Sequence, residues 1–142
     1  MKTLYTAMAT AEAGREGRVS SSDGNVDVRL SLPKGFGGPE TPGTTNPEQL
    51  FAAGYAACFH SALKLVAAQA KVDADRSTVT AVVGIGPNEA GGFELSVELD
   101  INLPGTDHAT ATQIAEKAHQ VCPYSNATRG NIPVELTVSE DG

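Results

Sequence analysis

Apolar and polar residues alternate along residues 3–10 and again from Asn25 to Leu32, the period-two pattern of strands with one buried face. Between them, Gly14-Arg15-Glu16-Gly17-Arg18 reads as a turn and Ser20–Gly24 as a hairpin link. Residues 33–45 hold three prolines and four glycines, which predicts a loop. At Asn46 the period changes. Leu50, Phe51, Gly54, Tyr55, Cys58, Ala62, Leu65 and Val66 recur at three- and four-residue steps, predicting a helix that runs to about Lys71. Its start is well marked: Asn46 can cap, Pro47 suits the first helical position, and Glu48 complements the positive end of the dipole. Ala52, Ala53, Ala56 and Ala57 fill most of the other face, so the helix is expected to be buried nearly all round, with Gly54 and the alanines allowing another backbone to approach. Strands follow at 78–85 and 93–103, joined by an Asn88–Gly92 turn. A helix at 107–120, with Asp107 as a possible cap, breaks at Cys122-Pro123. A short helix from Pro123 to Arg129 is stopped by Gly130, and Ile132–Val138 is the last strand. Hairpin-like links between runs of strands give an α+β class, and the whole of 1–142 is expected to form one domain.

Composition narrows the function classes. With 40% hydrophobic and 19% charged residues the chain is globular. A net charge of −7 argues against nucleic acid or an anionic membrane as the main partner, since both call for a basic face. The long apolar stretch Leu50–Ala70 is interrupted by His60, Ser61, Lys64 and Gln69 and reads as a core helix rather than a membrane span. Met1–Thr6 has no apolar run of signal-peptide length, so the cytoplasm is the expected compartment, where idle thiols stay reduced.

The candidate chemistry centres on the two cysteines, Cys58 and Cys122. Either alone reads as a small buried hydrophobe. As a pair in these settings they point to redox or metal chemistry. Cys58 lies in the body of its helix, without help from a helix N-terminus. Apolar surroundings would raise its pKa, so a reactive Cys58 needs a cation. Lys64 is six residues on and faces elsewhere; an arginine from another part of the molecule is the better donor. Cys122 precedes Pro123, where the start of the short helix favours a thiolate. Arg15 and Arg18 read either as solvated charges or as such donors. Glu48 is ten residues from Cys58, about 15 Å along a straight helix. It cannot touch Cys58 of its own helix; if both serve one site, Glu48 comes from a second chain. Cys58-x-His60 and His119-x-x-Cys122 compose a Cys₂His₂ zinc set, but residues two apart on a helix point about 200° apart, which opposes a shared ion. No metal is expected. The glycines at 35–38 lack a phosphate-binding pattern, and no Ser/His/Asp arrangement stands out.

Taken together, Gly14-Arg15-Glu16-Gly17-Arg18, the run from Thr45 to Phe59 (TNPEQLFAAGYAACF) and the run from His119 to Asn131 (HQVCPYSNATRGN) closely resemble the organic hydroperoxide resistance proteins of the larger Ohr/OsmC family, over nearly the whole chain. The resemblance implies an Ohr/OsmC-like fold: an intertwined homodimer with central buried helices wrapped by antiparallel β-sheets. It implies a thiol peroxidase in which Cys58 is peroxidatic and Cys122 resolving, with Arg15 and Glu48 orienting and activating the thiolate. It further implies organic hydroperoxides as substrates, an intramolecular disulfide, no bound cofactor, and reduction by an external dithiol on a lipoylated protein. Phe36, Phe51, Tyr55 and Tyr124 are expected to wall the substrate pocket. The competing reading is a non-catalytic thiol redox sensor or binding domain.

Overall fold

The computed structural model describes residues 1–139. The chain forms two compact units, Met1–Leu50 and Phe51 onward.

The first unit is built on a three-stranded antiparallel sheet in the order β1 (Ala9–Glu12), β2 (Arg18–Ser21), β3 (Asp27–Arg29). Ala9 pairs with Ser21 and Glu12 with Arg18; Arg18 in turn pairs with Arg29. A single 3-10 turn, Gly14–Glu16, connects β1 to β2. Gly17 closes that turn because a Cβ there would overlap the Glu12 carbonyl. The predicted strand at 3–10 starts only at Ala9. Among the described residues its earlier apolar positions, Leu4, Tyr5 and Met8, are exposed and lie outside the β1 ladder, although the Met8 carbonyl accepts from the Ser22 amide at 2.8 Å. The strand predicted at 25–32 shortens to three residues, after which Leu30 bridges Thr45. β2 occupies residues read as turn and link, because its serines carry little strand signal. The 33–45 segment is a loop except for a 3-10 turn at Lys34–Phe36.

Helix α1 spans Pro47–Gln69, so its first turn belongs to the first unit and the rest to the second. By length and composition it could cross a membrane. Within the chain it instead seats Tyr55, Phe59 and Leu63, all fully buried, in a core with Val97, Leu99, Ile101, Ile114 and Ala118. Each such large side chain contributes about 1.5–3 kcal/mol by leaving water. Burial is one-sided, however. Ala53, Ala57, Ser61, Lys64, Leu65 and Ala68 form an exposed stripe, with Leu65 at 52%. The expectation of a helix buried all round is not met inside one chain.

The second unit's sheet has the order β4 (Thr78–Pro87), β5 (Phe93–Asn102), β6 (Val134–Val138). β4 and β5 form an antiparallel hairpin across the 88–92 turn. Val97, Leu99 and Ile101 alternate inward along β5. β6 joins β5 in parallel, unlike the antiparallel strand pairs of the rest of the two sheets. The intervening helices α2 (His108–Val121) and α3 (Pro123–Thr128) supply the crossover that a parallel neighbour needs. Asp107 caps α2 by accepting from the Thr110 amide at 3.0 Å. The α+β class stands as the element order predicts.

Candidate active site

The first unit pairs Arg15 with Glu48. Arg15 sits on the 3-10 turn after β1, and Glu48 in the first turn of α1. The Asn46 side chain accepts from the Gln49 amide at 2.8 Å, fixing the helix start and with it Glu48. The guanidinium donates through both terminal nitrogens to the two carboxylate oxygens, at 2.8 and 2.6 Å. This is the bidentate geometry that only arginine provides. The hydrogen bonds from Arg15 hold the Glu48 carboxyl below the usual carboxylate range, against the opposing effect of burial. The guanidinium carbon lies over the Phe36 ring, 5.2 Å from its centroid. Arg18, four residues after Gly14 in the same stretch of sequence, is engaged elsewhere: it pairs with Asp27 across the sheet at 2.7 and 2.6 Å. The two arginines of this stretch therefore have different partners, Glu48 for Arg15 and Asp27 for Arg18. An open cavity of about 450 Å³ in this unit is lined by Glu12, Arg18, Arg29, Ser31 and Thr44, among others. None of the predicted site residues lines it.

The second unit pairs the thiols. Cys58, half-buried on α1, and Cys122, fully buried, are both free, with the Cys122 thiol donating to Cys58 Sγ at 3.5 Å. Cys122 is the single residue between α2 and α3, ending one helix and starting the next. Its side chain makes no capping bond. The helix start acts instead on the other cysteine: the Tyr124 backbone amide hydrogen-bonds Cys58 and works to lower its pKa. Sequence reasoning gave Cys58 no helix N-terminus, because the contact comes from a different helix. Burial is the larger influence and, with the neighbouring Cys122, pushes the Cys58 thiol up.

Phe51, Tyr55 and Tyr124 cluster beside the thiols' helices. The rings of Phe51 and Tyr124 stack at 6.3 Å between centroids, and Tyr55 meets them at 5.9 and 5.7 Å. Tyr124 lies so close to Gly54 that an added Cβ would come within 3.1 Å of its hydroxyl. Tyr55 is completely buried, backing the other two rings rather than facing solvent. Two histidines bond to serines. His60 Nε2 contacts Ser77 Oγ at 2.9 Å, and His119 Nδ1 contacts Ser125 Oγ at 2.7 Å. Burial pushes both histidines down. Among the described residues no group of three or more His, Cys, Asp or Glu is placed to hold a metal ion. Sequence reasoning overlooked Ser125 and Thr128. Their three-residue spacing after Cys122-Pro123, which puts both on one face of the short helix, is the signal that would have found them.

The family profile of OsmC-like proteins matches residues 38–137, and the chain belongs to that family. Over 139 residues it is 57% identical to the organic hydroperoxide resistance protein of Xanthomonas axonopodis pv. citri (strain 306), covering 97% of this chain and 96% of that one. It is 46% identical to the organic hydroperoxide resistance protein OhrA of Bacillus subtilis (strain 168), over 96% of this chain and 97% of the relative. Among solved structures, the organic hydroperoxide resistance protein of Elizabethkingia anophelis, crystallised with crystallant-derived thiocyanate bound, superposes with a TM-score of 0.93 at 57% identity, covering 99% of this chain and 100% of that one. Bacillus subtilis OhrB follows at 0.87 and 42% identity, over 96% of this chain and 100% of that one. Within the OsmC-like family, the chain falls among the organic hydroperoxide resistance proteins.

Proposed function

We propose that this chain is a cysteine-based peroxidase that reduces organic hydroperoxides, alkyl and fatty-acid, to alcohols. The observation that carries the reading is the 3.5 Å approach of Cys122 Sγ to Cys58 Sγ, with both thiols free. The names of the relatives support the substrate class. The Cys58 thiolate attacks the outer peroxide oxygen, the O–O bond breaks, and the alkoxide leaves as the alcohol. The resulting Cys58 sulfenic acid condenses with Cys122 to a disulfide, releasing water. An external dithiol, on a lipoylated protein by family resemblance, then restores both thiols by exchange. No resident cofactor is required.

Burial raises the Cys58 thiol, so reactivity depends on a cation from outside the second unit. Arg15, aligned by Glu48, fills that role. Glu48 and Cys58 are about 15 Å apart on one helix, which argues that Glu48 serves the Cys58 of a second copy. Arg15 and Glu48 are bonded to each other within one chain, so both would serve the partner together. The proposed assembly is an intertwined cytoplasmic homodimer in which residues 1–142 of each copy form one domain. The exposed stripe on α1 and the exposed Leu4, Tyr5 and Met8 support it as surfaces a second copy would cover. Phe36, Phe51 and Tyr124, backed by Tyr55, are the proposed apolar walls. At roughly 0.8 kcal/mol per buried methylene, a four-carbon tail shifts preference over hydrogen peroxide by about two decades.

The test is Cys122→Ser treated with one equivalent of tert-butyl hydroperoxide. The expected product is a single added oxygen on Cys58 by intact mass, with no second turnover. Failure of Cys58 to take up oxygen would refute the assignment.

A further inference from the structure

A chain of buried hydroxyls spans the joint that carries Cys122. Thr128 Oγ1 donates to the Ser125 carbonyl at 3.1 Å. Its oxygen is then free to accept from the Tyr55 hydroxyl, also at 3.1 Å. Tyr55 in turn accepts from Ser125 Oγ at 2.8 Å, and Ser125 Oγ accepts from His119 Nδ1 at 2.7 Å. Each hydroxyl serves once as donor and once as acceptor, so the chain is satisfied in one direction. Tyr55 and Ser125 are fully buried and Thr128 nearly so. Arg129 adds a second tie, donating to the His119 carbonyl and, at 2.8 Å, to Asn126 Oδ1.

The placement of these groups matters more than their number. His119 lies in the last turn of α2; Ser125 and Thr128 lie on α3; Cys122 is the one residue between the two helices. Tyr55 is three residues before Cys58 on α1, on the same side of the helix. The chain therefore crosses the Cys122 joint and anchors both of its flanks to the helix that bears Cys58. A one-residue joint between fixed helices leaves the Cys122 side chain little freedom except about its own rotamer. Disulfide closure must shorten the sulfur separation from 3.5 Å to about 2.05 Å.

We infer that the His119–Ser125–Tyr55–Thr128 chain is a clamp that keeps Cys122 in register with Cys58 and sets the rate of disulfide closure. The inference rests on the thiol-pair reading above and assigns these side chains to its second step. In that step the Cys122 sulfur bonds to the Cys58 sulfur, the S–O bond of the sulfenic acid breaks, and the hydroxide leaves with the Cys122 proton as water. His119 and Ser125 are positioning residues, since neither touches a sulfur or the peroxide.

The experiment is rapid-quench oxidation by one equivalent of tert-butyl hydroperoxide, with dimedone trapping of sulfenic acid and intact mass at each time point. It compares wild type with Ser125→Ala, His119→Leu and His119→Asn. The expected result is unchanged sulfenic acid formation in all four, with closure slowed roughly ten- to a hundredfold in Ser125→Ala and His119→Leu. His119→Asn, which keeps a hydrogen-bonding atom near the Nδ1 position, is expected to restore most of the rate. Closure at the wild-type rate in folded Ser125→Ala or His119→Leu overturns the clamp alone, as does an equal slowing of both steps. If Ser125→Ala fails to fold by circular dichroism, the His119 pair decides. A wild-type protein that takes up oxygen yet never closes overturns the clamp together with the resolving role of Cys122.

Discussion

In the first unit Arg15 and Glu48 meet at 2.8 and 2.6 Å with the arginine about one-third exposed; in the second, Cys58 and Cys122 approach to 3.5 Å against a core of fully buried side chains. One pair is held by charge and directional bonding, the other by packing. The difference has a chemical consequence. Burial that positions the thiols also raises the Cys58 pKa, which works against a thiolate there. In the proposed reading, the aligned guanidinium supplies what the half-buried thiol lacks.

The sharpest way to break the comparison is to remove the nucleophile. Cys58→Ser is expected to reduce tert-butyl hydroperoxide consumption to the uncatalysed background; activity near wild type would end the proposal. Next comes the charged half. Arg15→Ala is expected to raise the Cys58 pKa and lower kcat/KM by about two to three decades, with Arg15→Lys recovering only part because the bidentate pair is lost. An unchanged thiolate titration, followed by absorbance near the ultraviolet thiolate band, would strip Arg15 of its role. A third change probes the packed half. Tyr55→Phe leaves buried hydroxyl partners unsatisfied and is expected to cost about 1–3 kcal/mol in urea unfolding. A change of a few tenths would mean the hydroxyl chain is not holding the helices.

The two units should also part company with pH. Glu48 is depressed in the folded chain, so its contribution is complete above about 4.5 and is lost only as pH falls through its lower folded value. His60 and His119 are depressed as well, by burial first and then by Lys64 and Arg129 respectively. The direction is the same as for Glu48 but the window is higher: stability is complete above about 6.5 and declines as pH falls toward the folded value, because the unfolded chain binds the proton first. Hydrogen exchange at neutral pH and at about pH 5.5, corrected for intrinsic rates, should show protection falling in α2 and α3 before it falls around Arg15 and Glu48. The opposite order would contradict the burial account. The smallest effect belongs to the helix cap: Asn46→Ala is expected to cost about 1 kcal/mol.

Much of this was legible in the chain. Asn46-Pro47-Glu48 marks the start of α1 to the residue, and the period of Phe93–Ile101 marks β5, because caps and alternation are local signals. The four proposed site residues, Cys58, Cys122, Arg15 and Glu48, come from motif resemblance, and the helix-length argument about Glu48 follows from geometry alone. What sequence could not supply was long-range. Residues 3–8 alternate like a strand, yet among the described residues the ladder begins only at Ala9. Tyr124's amide reaches Cys58 across 66 positions of sequence, and Tyr55 reaches Ser125 across 70. Neither contact leaves a periodic trace. The parallel pairing of β6 is likewise a property of the crossover, not of Val134–Val138.

The central claim is that the thiol pair turns over rather than merely registers oxidation. Steady-state consumption of tert-butyl hydroperoxide with dithiothreitol as reductant tests it most directly. The account predicts continuous turnover, many equivalents of peroxide per chain, dependent on Cys58 and on Arg15. Consumption that stops at one equivalent per chain, with reductant still in excess, would contradict it and mark the pair as a sensor.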